Sequence, residues 1–429
     1  MTPAARMMLA ALAVCGCAVS AMAEPLRIGF TECYRDRLPL DFFAEAYPEI
    51  AVEERPFARN PFGAADSPLP LQAAELPDVF SIVVGRYSDD LRDLADRGLI
   101  EPLDDLLEAI GVSPDDFLPQ TMEAVRYRGQ IWALPHHLVV DALHYDQARF
   151  EALGLAPAFD SWEALFETMQ QYGPPEIMLP FSSNQTLFGL AELMAQTTGG
   201  APIDYAAAEA WQSDRMAAAL DLISGARDRR LLEFRIENEP LRVKATALAG
   251  TGRVESLYPT SHYAVMPYPR RLLRDDPPAE CAYYPGLLEA FVVRSGTEAR
   301  EQAVAFLSWL MLEDTEWEVF LRTNAREGDR PFVMDSVHVP LRPSVWQTVD
   351  FDYAFKKFPE LDTLRGIVEQ AYIAATPAAL DKRAVTLASD TVMQKLGGAA
   401  SATWLDALCD AVRLQVKNTP VESHAYDAY

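Results

Sequence analysis

The sequence predicts an α/β protein of two lobes, joined by three short crossings and finished by a helical C-terminal part. Three observations carry the prediction. The chain has 429 residues, 50% apolar and 23% charged, which is too long for one core and ordinary for a globular protein. Residues 26–54 read strand, helix, strand, the unit from which open α/β sheets are built. At residues 126–150 two strands follow one another with almost no linker, as they do where a chain passes from one sheet into another.

Taken in order, residues 1–23 have Arg6 as a basic start, an apolar run from Met7 to Val19 and Ala21-Met22-Ala23 as a small-residue cleavage signature. Export and cleavage near Ala23, before Glu24, are expected, which places the mature chain in the periplasm or outside the cell. The apolar run is shorter than the ~20 residues a membrane span needs. Lipidation of Cys15 or Cys17 is the alternative; it is disfavoured because Val14 stands where lipoprotein processing wants a small residue. Cleavage leaves Cys33, Cys281 and Cys409, and two arrangements stay open: one disulfide with a free thiol, or three buried thiols.

Charge bears on partners. Against 37 lysines and arginines stand 63 acids, a net charge of −26, so neither nucleic acid nor an anionic lipid surface is expected to bind. The cysteine spacing fits no zinc pattern and the histidines are scattered apart from His136-His137, so no metal and no cofactor are expected.

The mature chain opens with a strand, Leu26 to Phe30, then an apolar-periodic helix, Leu40 to Tyr47, and a second strand, Ile50 to Glu54. The loop after the first strand lies at the carboxyl edge of the sheet, where open α/β folds bind ligands, so Glu32 and Tyr34 are site candidates. A Pro-, Gly- and Ala-rich loop spans residues 56–77. Pro77 to Val84 is nearly continuous in apolar residues, the mark of a strand covered on both faces. The helix after it, Ser88 to Arg97, stops at Gly98.

Next comes the first crossing. Gly129 permits a tight turn, Gln130 to Leu134 alternates as a short strand, and Pro135 ends it by removing a ladder donor. Val139 to Tyr145 is β-branched and aromatic and forms a second strand, with Pro135 to Leu138 as the only connection. His136 and His137 either orient a ligand or fill the turn, and the second reading is favoured. Beyond it, Asp160 and Glu163 cap a helix whose Trp162, Leu165, Phe166 and Met169 share one face. Met178 to Phe181 is a short strand. Ser182-Ser183-Asn184 opens a further helix, and its free backbone donors suit a polar ligand group, or form an ordinary cap.

Residues 206–231 supply more helix, residues 245–258 end in a strand, and Tyr263 to Met266 is extended. The turn-rich Cys281 to Gly286 leads to a strand, Glu289 to Val293, as a second crossing, followed by one long amphipathic helix, Glu298 to Arg322. A third passage runs from Pro331 to Pro340. From Thr363 to Val416 the chain is read as wholly helical.

Several of these patterns together resemble the extracellular solute-binding proteins of ABC importers, the larger group typified by sugar binders. Asp78-Val79-Phe80 leading to Leu91, Leu94, Gly98-Leu99-Ile100 and Pro102-Leu103 is similar to a segment of that group. So are Gly129 to Pro135 with Leu143-His144-Tyr145, and Ala290 to Val293 before the helix. The resemblance covers most of the mature chain. It implies a two-lobed periplasmic-binding-protein fold of type II, with 24–136 plus 286–335 as one lobe and 137–285 plus 336–429 as the other. It also implies hinge closure on a small solute, a permease of the inner membrane as partner, and a monomer.

The same scaffold serves one enzyme family, the thiamine pyridinylases or type I thiaminases, and local details here resemble that branch. The family's nucleophilic cysteine lies just past the proline of the first crossing, where this chain has Val139. Its general base falls near Thr260, and its pyrimidine-contacting acid is matched by Glu289. Valine cannot add to a pyrimidine ring, so the residues favour a non-catalytic binder. The alternative is a thiaminase-like enzyme with relocated chemistry, for which Cys33 is the available thiol.

As ligand contacts the sequence offers aromatic faces at Tyr34, Trp132, Tyr258 and Tyr284, with Trp132 also fit for the core. It offers acids at Glu32, Asp141 and Glu289, and small polar groups at Ser182, Ser183 and Asn184. The acids favour a hydroxylated, cationic or heteroaromatic solute over an anion.

Overall fold

The computed structural model describes residues 24–30, 40–56, 73–85, 90–172, 178–179, 193–195, 197–199, 214–229, 231, 233–234, 249–253, 263–279, 284–324, 339–357 and 359–373; at some of these, among them Val139, Asp141, Tyr284 and Pro285, it describes the backbone alone. Outside these residues lie the leader at 1–23, Cys33, Cys281 and Cys409, and the site candidates Glu32, Tyr34, Ser182, Ser183, Asn184 and Tyr258. Thr260, the passage from Pro331 to His338 and the C-terminal residues beyond 373 also lie outside them.

Strands β1 (Leu26–Phe30), β2 (Val52–Pro56) and β3 (Val79–Gly85) are parallel, with β1 in the middle. Helix α1 (Leu40–Ala46) connects the first two and buries Phe43 edge-on against Phe306 and Trp309. Every residue of β3 is buried, as its unbroken apolar run requires. After α2 (Asp90–Asp96), Gly98 takes φ +64, the left-handed stop expected of a glycine past a helix end. Helices α3 (Asp104–Ala109) and α4 (Pro119–Ala124) follow.

The stretch expected to be the first crossing folds differently from the expectation. Strands β4 (Arg126–Tyr127) and β5 (Gln130–Ile131) form a tight hairpin whose two turn residues, Arg128 and Gly129, both have positive φ. Pro135 does not end a strand. It lies inside β6 (Leu134–Asp146), which runs unbroken through the supposed connection. A bulge makes this possible: Glu289 faces His137 and Ala290 faces Pro135, so His136 is the extra residue and the proline's missing donor falls where pairing is already irregular.

Helix α5 (Gln147–Leu153) leads to α6 (Trp162–Tyr172). There Ser161, not Asp160, is the cap, its Oγ accepting from Ala164 N at 3.0 Å. Glu163 instead accepts from Arg274 N at 3.0 Å, a partner no local pattern announces. Trp162, Leu165, Phe166 and Met169 are all buried, as their shared helical face predicts. Strands β7 (Met178–Leu179) and β8 (Glu233–Phe234) pair in parallel, with α7 (Asp214–Asp228) between them in sequence. Then come β9 (Ala249–Arg253), β10 (Tyr263–Met266) and β11 (Tyr284–Val293). The last begins within the stretch read as turn, at Tyr284.

The long helix expected after β11 is two: α8 (Arg300–Leu310) and α9 (Glu313–Asn324). The chain turns between them because Met311 N and Leu312 N bond three residues back, to Ser308 O and Trp309 O, and the acids Glu313 and Asp314 suit a new helix start. Helices α10 (Pro343–Trp346), α11 (Val349–Lys357) and α12 (Pro359–Glu369) follow. The expected run of helix is then broken by β12 (Ala371–Tyr372), a strand too short to be read from two residues.

Among the described residues eight strands form one sheet in the order β10-β6-β11-β3-β1-β2, with β9 added to β6 and β12 to β11. A continuous core fills its faces. No helix of the described residues is long and apolar enough to cross a membrane.

Candidate functional site

Two strands, β6 and β11, belong to more than one part of the sheet, and the place where they separate defines the site. They pair antiparallel from Leu134 with Phe291 up to Val140 with Gly286. Past that rung they diverge. In β6, Asp141 to Tyr145 pairs with β9, and Leu143 to Asp146 with β10. In β11, Tyr284 and Pro285 pair with β12. The early part of β6, Leu134 to Val140, and the late part of β11, Gly286 to Val293, therefore lie on the side of the β1-β2-β3 unit, while Asp141 to Asp146 of β6 and Tyr284-Pro285 of β11 carry a different set of neighbours.

The carboxyl end of β3 arrives at this fork. Gly85, its last residue, faces Leu287, one rung from the parting pair, and takes φ +110, a conformation that side-chain-bearing residues rarely adopt. The chain after β3 thus leaves the sheet at the edge where open α/β folds bind ligands. Asp141 stands just beyond the last shared rung, opposite Arg253 in register. Tyr284 stands two residues before Gly286 on the other prong, opposite Ala371. The backbone brings these two candidates to one place.

Glu289 lies beneath them. It faces Val83 on one side and His137 on the other, two residues in from the end of β3, about 7 Å at the usual strand rise. Its Oε2 is 3.3 Å from His137 Nδ1, and the two side chains are 1% and 3% exposed. The carboxylate is therefore held by a histidine inside the joint between the strands, where sequence alone reads a residue that fills a turn. His136, the bulged residue, is also buried, its ring edge-on to Phe291 at 5.5 Å. Burial, then the positive fields of His137 and Arg342, hold its imidazole down to about 3.

Trp132 is placed elsewhere. It precedes the start of β6, eight residues from Val140 and so more than about 20 Å from the fork along an extended strand. Its indole N–H donates to Tyr127 O at 2.9 Å, and its ring packs on the core.

Two further buried ionic groups were not legible in the sequence. Asp78, before β3, accepts from the Arg27 backbone at 3.0 Å, from the Arg27 guanidinium at 3.0 and 3.1 Å, from Arg294 at 2.5 Å and from Thr297 at 2.7 Å. Burial alone raises its carboxyl, but these donors outweigh it and hold the group well below the usual carboxylate range. Arg342 bonds Glu316 Oε1 from Nε at 2.9 Å and from Nη2 at 2.6 Å, and also reaches Met311 O at 2.6 Å. Burial pushes the Glu316 carboxyl up to about 7 against the pull of Arg342, helped by the negative fields of Asp116 and Glu313. Both clusters join segments far apart in sequence, so no local motif marks them.

No family model and no curated protein matches the sequence. The fold itself has many solved counterparts, and it is the α/β fold of the two-lobed periplasmic solute-binding proteins. Among them are an ABC substrate-binding protein from Listeria monocytogenes in complex with cycloalternan, at 12% identity and TM-score 0.65, and the cyclic α-maltosyl-1,6-maltose binding protein of Arthrobacter globiformis, at 17% and 0.65. In both, the match covers 92% of this chain and 99% of the other. A third, UgpB from Mycobacterium tuberculosis with glycerophosphocholine, matches at 14% and 0.61, over 92% of this chain and 98% of that one. The likeness is one of fold.

Proposed function

We propose that this chain is an exported solute-binding protein that takes a small polar, cationic or heteroaromatic solute between two lobes and presents it to an ABC permease of the inner membrane. The observation that carries the reading is the fork. Two continuous strands change partners within one rung of the end of β3, so a few backbone dihedrals at Val140–Asp141 and Pro285–Gly286 are enough to turn one portion of the sheet against the other. Closure then follows from whatever contacts the solute makes better in the closed than in the open form.

In this reading the lobes are 24–136 plus 286–335 and 137–285 plus 336–429, and the partner change within β6, between Val140 and Asp141, falls within a few residues of the first boundary. Asp141 and Tyr284 line the mouth, joined by Glu32, Tyr34, Ser182, Ser183, Asn184 and Tyr258, while Glu289 shapes the floor through His137. The solved counterparts named with cycloalternan and glycerophosphocholine support saccharides and choline-like cations as first candidates. A net charge of −26 supports the same preference against anions. In this reading the protein acts as a monomer, in the periplasm or outside the cell, after cleavage near Ala23.

The test is a thermal-shift screen of the mature chain from Glu24 against oligosaccharides, polyols, glycerophosphocholine and thiamine. A true solute raises the melting temperature in proportion to the logarithm of its excess over Kd. A parallel arm incubates the protein with thiamine and a thiol nucleophile. Thiazole release abolished by Cys33→Ser would replace this reading with the thiaminase-like enzyme.

A further inference from the structure

The last four carbonyls of any helix lack partners within it. In α12 all four are met. Gly366 O accepts from Gln370 Nε2 at 2.8 Å and Ile367 O from Gln370 N at 3.1 Å. The other two, Val368 O and Glu369 O, accept from Gln120 Nε2 at 3.0 and 3.2 Å. Gln120 lies on α4, 248 residues earlier and ahead of both forked strands.

The cap comes from a helix tied to the near end of β6, where Trp132 N donates to Val125 O, just past α4, at 3.1 Å. Helix α12 packs on β10 and β6, the strands of the far prong. The residues that leave α12 become β12, the strand that receives β11 at Tyr284 and Pro285. The entrance to α4 touches the start of the same helical unit, where Leu118 N donates to Leu341 O at 2.9 Å and Ser344 Oγ to Asp116 Oδ2 at 2.7 Å. Gln120 holds the opposite end, next to β12.

We propose that Gln120 is a strut that sets the angle of the fork. It is a positioning residue that ties α4 to the end of α12, so the far halves of β6 and β11 turn only when its two hydrogen bonds break or travel with them. A joint of two strands is soft, and a side chain bonded across it favours one orientation over the others. The amide suits the task because it brings donors to carbonyls at the negative end of a helix, where a carboxylate would be repelled. The proposal stands on the fold and does not depend on which solute binds.

Amide hydrogen exchange of the full mature protein, read by mass spectrometry, tests it in the wild type, Gln120→Ala, Gln120→Glu and Gln120→Lys. Alanine and glutamate are expected to speed exchange by about tenfold, as two ordinary hydrogen bonds imply, at residues 366–372 and also at the fork, residues 138–142 and 284–288. Lysine restores a donor and is expected to return the fork to wild-type rates. Faster exchange confined to 366–372 makes Gln120 a local cap and overturns the proposal. So does a fork that lysine fails to restore, or a uniform rise that includes β1 to β3, which marks a general loss of stability. A failed solute screen with a strut-dependent fork would count against the solute reading alone.

Discussion

Glu289 on β11 and His137 on β6 oppose one another across the ladder, Oε2 to Nδ1 at 3.3 Å, with neither side chain more than 3% exposed. Removing one member of such a pair leaves the other buried without its counter-group, which costs more than the bond itself contributes. Glu289→Ala is expected to lower unfolding free energy by about 3 kcal/mol. Glu289→Gln, which keeps a hydrogen-bonding group of the same length, should lose only about 1 kcal/mol. Urea denaturation of both variants checks this; equal losses would show that the charge at 289 carries the effect and that the shape and hydrogen-bonding capacity glutamine keeps do not.

Glu316 has a definite pH signature. Its carboxyl titrates at 4.5 when unperturbed and is pushed up to about 7 by burial. Between those values the folded chain holds more protons than the unfolded one. The stability this group contributes is full below pH 4.5 and is lost as pH rises through 7. Against Glu316→Gln, the wild type should show the steeper fall over that window, by at most about 1.4 kcal/mol per pH unit. Parallel stability curves would sink the assignment.

His136 acts in the opposite sense. Burial, His137 and Arg342 hold its imidazole down to about 3 from 6.5. Its contribution is complete above pH 6.5 and is lost as pH falls toward 3, because the unfolded chain takes up a proton that the folded chain refuses. His136→Leu is expected to flatten the acid limb of the stability curve, measured by denaturant midpoints from about pH 3 to 7, whatever its effect at neutral pH.

Asp78 gathers donors from β1, from the end of β11 and from Thr297, with Oδ1 to Arg294 at 2.5 Å and to Thr297 Oγ1 at 2.7 Å. An asparagine in its place would turn an amide toward at least one of these donors, so Asp78→Asn is expected to cost about 3 kcal/mol. Because the carboxyl is held below its ordinary 3.8, its contribution is present above that value and is lost as pH falls below it. Solute binding at the fork should survive the substitution, since Asp78 sits at the other end of β3. A thermal-shift comparison of the two proteins with the same solute would show this.

The fold was legible wherever periodicity spoke for itself. The unbroken run of β3, the single face of α6 and the strand–helix–strand opening needed no partner to be recognised. The strands of residues 126–146 are visible in the sequence but their shape is not, since a proline inside a strand reads as a breaker while the bulge that accommodates it depends on Glu289 and Ala290 across the sheet. The same limit governs the site. Asp141, Tyr284 and Glu289 stand out by local chemistry, and the backbone brings them to one place. The histidine that holds Glu289 is 152 residues away in sequence, and Gln120 is 248 residues from the carbonyl it caps. A histidine pair embedded among Leu, Val and Pro was the one available sign that ionisable groups are buried here. Trp132 fails as a fork residue because strand direction, invisible in composition, carries it to the opposite end of β6.

The position of β11 also governs when this chain can become whole. It lies between β3 and β6, yet it is made after both, with Glu289 emerging 152 residues behind His137. Until it arrives, both earlier strands present bare edges and nothing in the middle can zip. Ribosomal synthesis therefore delivers the keystone after both of its long neighbours, and a polypeptide cut short before residue 284 has flanks without a centre.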